Sequence, residues 1–138
     1  LSLTKEKKFI NRFMEELRKP DDGLAIYGEA QTREAMARGA VDTLLISEGM
    51  EKNIIEYSCP KCGKKGQLTL KSLEHVKCPS CSAEVDVLKH IDVVNEFYEL
   101  ADAYGTTVEM ISMDFEEGEM LMKAFNGLAA ILRYRIGG

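Results

Sequence analysis

The sequence predicts an α/β sandwich, with helices on both faces of a sheet, interrupted by a small cysteine-bearing insert. Three observations carry that prediction. Short apolar runs of strand length alternate with stretches of helical period along most of the chain. Residues 24–47 hold strand, helix and strand in one compact unit. All four cysteines fall between residues 59 and 81, as two C-x2-C pairs.

The elements follow in order. Thr4 is placed to cap a first helix that runs to about Lys19 and stops at Pro20. Phe9, Phe13 and Leu17 form one row on it, and Ile10, Met14 and Leu17 the next, a wide apolar face suited to packing on a sheet. Asp21, Asp22 and Gly23 make the turn into the first strand, residues 24–27. Gly28 ends that strand. Residues 29–38 then take a helical pattern, with Ala35 and Met36 inward, acids early, and Arg33 and Arg38 later, as the helix dipole favours. Gly39 suits the left-handed residue that closes a helix. Residues 43–47 are the second strand, and the unit reads as βαβ, its strands parallel with a right-handed crossover.

Nothing in this unit is a reaction centre. Gly28 stands alone, with neither GxGxxG nor GxxxxGK[ST] around it, so a phosphate loop is not expected. Glu29 and Glu34 read as a solvated helix start, not as catalytic carboxylates. No catalytic or cofactor-binding residue is assigned anywhere, and the chain is not expected to be an enzyme.

Downstream, residues 54–57 continue as a strand toward the cysteines. After them, residues 85–88 resume the main pattern. Residues 91–104 are a helix with Ile91, Val94, Phe97, Tyr98, Leu100 and Ala101 inward, closed by Gly105. Residues 107–112 alternate as a strand, with Val108 and Met110 on one face. Residues 116–125 form a helix with acids in its first turn, and Gly127 ends it. Residues 128–136 supply an edge or closing strand. Met110, Met113, Met120 and Met122 are read as core filling in preference to an adaptable binding surface.

Composition bounds the partners. A length of 138 residues with 45% apolar and 30% charged residues suits one ordinary globular domain with a small appendage. No apolar run approaches the roughly 20 residues that span a bilayer. The polar start, LSLTKEKKF, is not a secretory signal, so a cytoplasmic location is expected. A chain beginning at Leu1 is expected to be a piece of something longer. A net charge of −5 argues against a dedicated duplex-DNA binder.

Cys59-Pro-Lys-Cys62-Gly and Cys78-Pro-Ser-Cys81-Ser are separated by fifteen residues, the spacing of a zinc ribbon. The chemistry needs two turns that each hold two thiolates about 2.3 Å from one tetrahedral ion. Proline in second place stiffens each turn, and Gly63 permits the backbone reversal. Residues 68–70 and Val76 supply short flanking strands. Disulfides are disfavoured in a chain without an export signal. A redox C-x2-C occurs once, not twice at ribbon spacing. Four thiolates leave no open position for catalysis, so Cys59, Cys62, Cys78 and Cys81 are expected to hold structural Zn²⁺, with His75 left on the surface. The ion is needed because so short a segment cannot bury enough apolar area to fold unaided. The expected boundaries are 1–57 and 84–138 for the sandwich and 58–83 for the insert. Residues 58–83 carry five lysines (61, 64, 65, 71, 77) against the single acid Glu74. These suit contact with RNA phosphate, and equally suit keeping a small exposed unit in solution.

Three stretches carry a family resemblance: Tyr27-Gly28-Glu29, residues 33–47 (REAMARGAVDTLLIS) and residues 127–135 (GLAAILRYR). Together they resemble the C-terminal domain of the class-1 peptide chain release factors of archaea and eukaryotes. The resemblance covers essentially the whole chain, and the four-cysteine insert is similar to the archaeal form. Pelota-type ribosome rescue factors share the domain and stand as the alternative.

The resemblance implies an α/β/α sandwich similar to the kink-turn-binding ribosomal proteins, which keeps an RNA-binding module as a further alternative. It implies binding to a translational GTPase of the elongation factor 1 alpha type, and ribosome contact through the full-length factor. Decoding and Gly-Gly-Gln-dependent peptidyl-tRNA hydrolysis belong to other domains; the Gly-Gly of this chain is Gly137-Gly138, with no Gln after it. Departures from eukaryotic members are Ala130 where a Gly is common, the complete cysteine set and the missing acidic tail. The resemblance implies that Ala130, Ile131, Leu132, Arg133 and Tyr134 form part of the partner surface or directly support it. Alternation there places Ile131 and Arg133 on one face and Leu132 and Tyr134 on the other, so one pair is expected in the core and the other at the surface.

Overall fold

The structure, a computed structural model, describes residues 2–136; Leu1 and the Gly137-Gly138 pair lie outside the described residues. The chain divides into two compact units, residues 1–50 with 97–138, and Glu51–Glu96.

The larger unit is a mixed α/β body. Its elements are α1 (Ser2–Leu17), β1 (Ala25–Tyr27), α2 (Glu29–Ala37), β2 (Val41–Ser47), the later part of α3 (Val93–Tyr104), β6 (Thr107–Ile111), α4 (Glu116–Phe125) and β7 (Leu128–Leu132). Helix α1 already begins at Ser2, so Thr4 lies inside it and is not its cap. The sheet order is β1-β7-β2-β6. β1 and β2 both run antiparallel to β7, and β2 runs parallel to β6. The two strands of the sequence βαβ unit therefore share a direction but are not neighbours. The final apolar run, expected as an edge or closing strand, lies between them.

Period-two alternation sorts the sheet's side chains to two faces. On one face Leu45, Ile111, Ala129, Ile131 and Ala25 pack with Ile10, Phe13 and Met14 of α1 and Leu121 of α4. Both sequence rows of α1 point there, Phe9 and Leu17 at the margin. Phe13 and Phe125 meet edge-on at 5.3 Å, joining α1 to α4. The opposite face carries Leu44, Ile46, Leu128, Ala130 and Leu132, all buried. Helix α2 packs on β1 and β7 and buries Ala35 and Met36. The Arg33 guanidinium lies 5.3 Å from the Phe97 ring, tying α2 to α3. Each fully buried aliphatic side chain contributes roughly 1.5–3 kcal/mol. Two inward assignments on α3 fail: Ile91 belongs to the preceding strand, and Tyr98 is exposed. Met113 and Met120 are also exposed, so the core is filled by other side chains.

The second unit contains β3 (Asn53–Ser58), β4 (Lys65–Leu70) and β5 (Asp86–Asp92), an antiparallel sheet of order β4-β3-β5. It is wider than residues 58–83 because β3 and β5 pair with each other from Asn53↔Asp92 to Ser58↔Asp86. The strands leading into and out of the cysteine segment thus belong to the insert's own sheet. Among the described residues no helix is long and apolar enough to cross a membrane.

Two side chains set testable points in the body. A Cβ at Gly118 would lie 1.9 Å from the Ser112 carbonyl oxygen. Gly118→Ala should therefore force α4 off its seat and cost about 1–3 kcal/mol, read as a fall in melting temperature. The Glu16 carboxylate receives the Lys19 ammonium and the Leu24 amide, and these contacts hold its pKa below the usual value. A lowered folded-state pKa gives stability that is present above the unfolded value and lost as pH falls through the folded one. Acid titration of stability should accordingly be shallower below about pH 4.5 in Glu16→Gln than in the parent chain.

Candidate metal centre

Two backbone turns of the same construction hold the four cysteines. In the first, the Cys59 amide donates to the Lys64 carbonyl at 2.8 Å and the Gly63 amide to the Cys59 carbonyl at 2.9 Å. In the second, Cys78 donates to Ala83 at 2.7 Å and Ser82 to Cys78 at 2.9 Å. Gly63 (φ 76°) and Ser82 (φ 64°) occupy matching positions, each just after the second cysteine of its pair. Glycine reaches that left-handed region freely, whereas Ser82 carries a cost of roughly 1 kcal/mol. Pro60 and Pro79 lie on the outside of the turns, exposed.

The turns bring the sulfurs together. Cys59 Sγ lies 3.5 Å from Cys81 Sγ, and Cys62 Sγ lies 3.7 Å from Cys78 Sγ. All four fall within 4.8 Å of one another, and all four are free thiols, not disulfides. Four sulfurs about 2.3 Å from a tetrahedral centre sit about 3.8 Å apart, so the spacing fits one ion. His75 is exposed and outside this group.

The amide supply is uneven. The Cys62 amide points at Cys59 Sγ (3.5 Å) and the Ser80 amide at Cys78 Sγ (3.4 Å). Donation from the Cys62 amide, with that of Lys61, lowers the Cys59 pKa to about 6. Cys78 is lowered likewise by the amides of Cys81 and Ser80. Cys62 goes the other way, to about 11: the Lys64 amide pulls it down, but partial loss of hydration at its sulfur and the three neighbouring sulfurs outweigh that pull. Clustered thiols resist joint ionisation until a cation shares the charge, and this group of four could hold a metal ion.

The residues expected at a partner surface separate into three kinds. Ala130, Ile131 and Leu132 are buried to 3% exposure or less, as the interior of β7 requires. Their side chains offer no surface, so these three could serve a partner site only by supporting it from within. Arg133 lies beyond the strand, where its Nε donates to the Val41 carbonyl at 3.1 Å. Its Nη2 donates to the carbonyls of Tyr104 and Gly105, both at 3.3 Å. It thus satisfies the C-terminal end of α3, where a cation is favoured. Tyr134 is 52% exposed. Two features escaped the sequence reading. The Ser82 turn had a signal in its match to Gly63, whereas the Arg133 clamp had none, because its acceptors are carbonyls from distant segments.

Comparison with known proteins agrees with this architecture. The sequence profile of eRF1 domain 3 matches residues 3–136. Peptide chain release factor subunit 1 of Archaeoglobus fulgidus is 43% identical over 142 residues, covering 100% of this chain and 34% of that protein. The chain therefore spans about a third of the length of the curated relatives it matches. The solved C-terminal domain of the peptide chain release factor from Methanosarcina mazei superposes with a TM-score of 0.76 at 37% identity, covering 99% of this chain and 86% of that one. An archaeal Pelota, in a structure of ribosome-bound Pelota and ABCE1, gives a TM-score of 0.60 at 24% identity, covering 97% of this chain and 27% of that one. At that identity the likeness is one of fold. With the profile matching nearly end to end and the release-factor relatives aligned over the full chain, this protein belongs to the eRF1 domain 3 family.

Proposed function

We propose that the chain works as the protein-binding C-terminal module of a class-1 peptide chain release factor. In this reading it recruits a translational GTPase of the elongation factor 1 alpha type and reaches the ribosome through the full-length factor, in the cytoplasm. The observation that carries the reading is the 43% identity to a release factor along the whole chain. The Pelota likeness rests on fold, so the release-factor reading takes precedence over the rescue-factor one. That the related Pelota is found bound to the ribosome with ABCE1 supports ribosomal work for a module of this shape. Catalysis is assigned in this reading to other parts of the factor, since the chain spans about a third of its release-factor relatives.

Within that reading Cys59, Cys62, Cys78 and Cys81 hold a structural Zn²⁺, which ties the two turns together without opening a reactive position. The exposed lysines 61, 64, 65, 71 and 77 give at most weak, salt-sensitive contact with RNA phosphate. In the 130–134 run, Tyr134 is the side chain free to touch the GTPase, and Arg133 holds the segment in place. Arginine and tyrosine are favoured anchors, but an arginine engaged with three carbonyls acts through position.

Elemental analysis of protein purified without chelator should give about one zinc per chain. Chelation, or Cys59→Ser, should unfold residues 51–96 while the body keeps its melting transition. A fully folded, metal-free insert would overturn the zinc assignment.

Titration against the elongation-type GTPase should show association, and titration against ribosomal RNA weak binding that falls steeply with salt. Tight, salt-tolerant RNA binding without GTPase contact would reverse the assignment. Tyr134→Ala should leave the melting temperature unchanged and weaken GTPase binding by about 2 kcal/mol. Arg133→Ala should instead lower stability, by about 1.5 kcal/mol. Wild-type affinity in Tyr134→Ala would move the partner surface elsewhere on the body.

A further inference from the structure

We infer that Cys62 is a modification site, the thiolate at which a two-electron oxidant of the peroxide class attacks the cysteine cluster, and that the product is a Cys62–Cys78 disulfide joining the two turns. This rests on the metal-binding reading above. The four ligands are not equivalent toward solvent. Cys59 and Cys78 are 1% and 2% exposed, Cys81 is half-buried, and Cys62 is exposed. The sulfurs of Cys59 and Cys78 are further shielded by the amides of Cys62 and Ser80. With an ion held by the cluster all four sulfurs would be thiolates, so access decides among them, and an electrophile arriving from water meets Cys62 first.

The second step is set by what lies next to Cys62. Its sulfur is 3.7 Å from Cys78 Sγ, across the cluster. A bond there links two turns whose backbones stay as they are, with Cys59–Lys64 and Cys78–Ala83 hydrogen bonds intact. A bond inside either C-x2-C pair would instead reshape a turn fixed by those hydrogen bonds.

The chemistry balances. The Cys62 thiolate attacks one oxygen of hydrogen peroxide, the O–O bond breaks, and hydroxide leaves, giving a sulfenic acid. The Cys78 thiolate then attacks the Cys62 sulfur, the S–O bond breaks, and a second hydroxide leaves. Peroxide gains two electrons, the thiol pair loses two, and solvent protonates both hydroxides. The disulfide would leave a bound ion with two of its four donors, Cys59 and Cys81, which lie 3.5 Å apart as a second oxidisable pair. Peroxide-type oxidants would then be read out as metal release.

The test uses the whole chain, with its zinc content measured first. It is then treated with stoichiometric hydrogen peroxide, while a zinc-sensitive dye follows release and non-reducing peptide mapping identifies the first disulfide. The expected result is release in step with a Cys62–Cys78 crosslink, and a brief iodoacetamide pulse that labels Cys62 ahead of the other three. Cys62→His, which keeps a fourth donor, should slow release about tenfold or more, and Cys81→His should change it much less. A first disulfide within Cys59–Cys62 or Cys78–Cys81 overturns the inference, as does an unchanged rate in Cys62→His. Protein that takes up no metal overturns the zinc reading and this inference with it, whereas zinc-loaded protein with the wrong disulfide overturns this inference alone.

Discussion

The body depends on one strand being closed on all four sides. Among the described residues, β1 is held in the sheet by β7, and β2 reaches β1 across it. Both edges of β7 are paired, and helices from both faces lie against it, α1 and α4 on one side and α2 on the other. A strand so enclosed cannot carry an unpaired polar side chain, which explains why it reads Leu-Ala-Ala-Ile-Leu without alternation. Ala129 and Ala130 face opposite helical layers, and their small size lets both layers approach the backbone. The pairing Ala25↔Ile131 joins distant segments of the chain, so this sheet is completed by long-range contacts of the kind that slow folding.

The insert answers to a different constraint. Its sheet has few buried side chains, chiefly Ile55 and Tyr57, and every residue of β5 is exposed. Tyr57 covers Gly66 of the neighbouring strand, where a Cβ would come within 3.3 Å of the ring. So small an apolar interior does little to offset the entropy of ordering this segment, and an ion held by the cysteine cluster would supply the missing stabilisation. Because Asn53 pairs with Asp92, the chain leaves and re-enters at one place. To the body the whole insert costs little more than a short connection, since closure entropy rises only slowly with loop length.

Much of this was legible in the sequence, and the misses share a cause. The two rows on α1, the bounds of the 116–125 helix and the cysteine grouping were all local patterns, and each is present. What periodicity could not give is which strands are neighbours. The run after Gly127 looked terminal because it is last in the chain, yet it is central in the sheet. The strands flanking the cysteines looked like parts of the main pattern because a strand's partner is not written in its own residues. Helical spacing places Tyr98 beside Phe97 on the inner side of its helix, yet the structure leaves it at 42% exposure. Ser82 shows the converse: its φ of 64° is dictated by the turn despite the residue type.

The 130–134 run shows how far a family resemblance reaches toward an interface. Alternation along a strand assigns faces only while the strand lasts, and β7 ends at Leu132. Before that point both faces are core, so the expected division into one buried and one exposed pair does not arise. After it, Arg133 turns toward Val41, Tyr104 and Gly105 and gathers the start of β2 and the end of α3. Thr106 donates to the same Val41 carbonyl at 3.1 Å, so the strand end at the β2 irregularity is satisfied from two sides. Four of the five positions are therefore accounted for by folding alone: three fill the core and one fastens its rim. A relative sharing this run shares the constraint of closing the sheet, whatever it binds. Tyr134, which makes none of these contacts, is the position at which the same run can carry information about a partner.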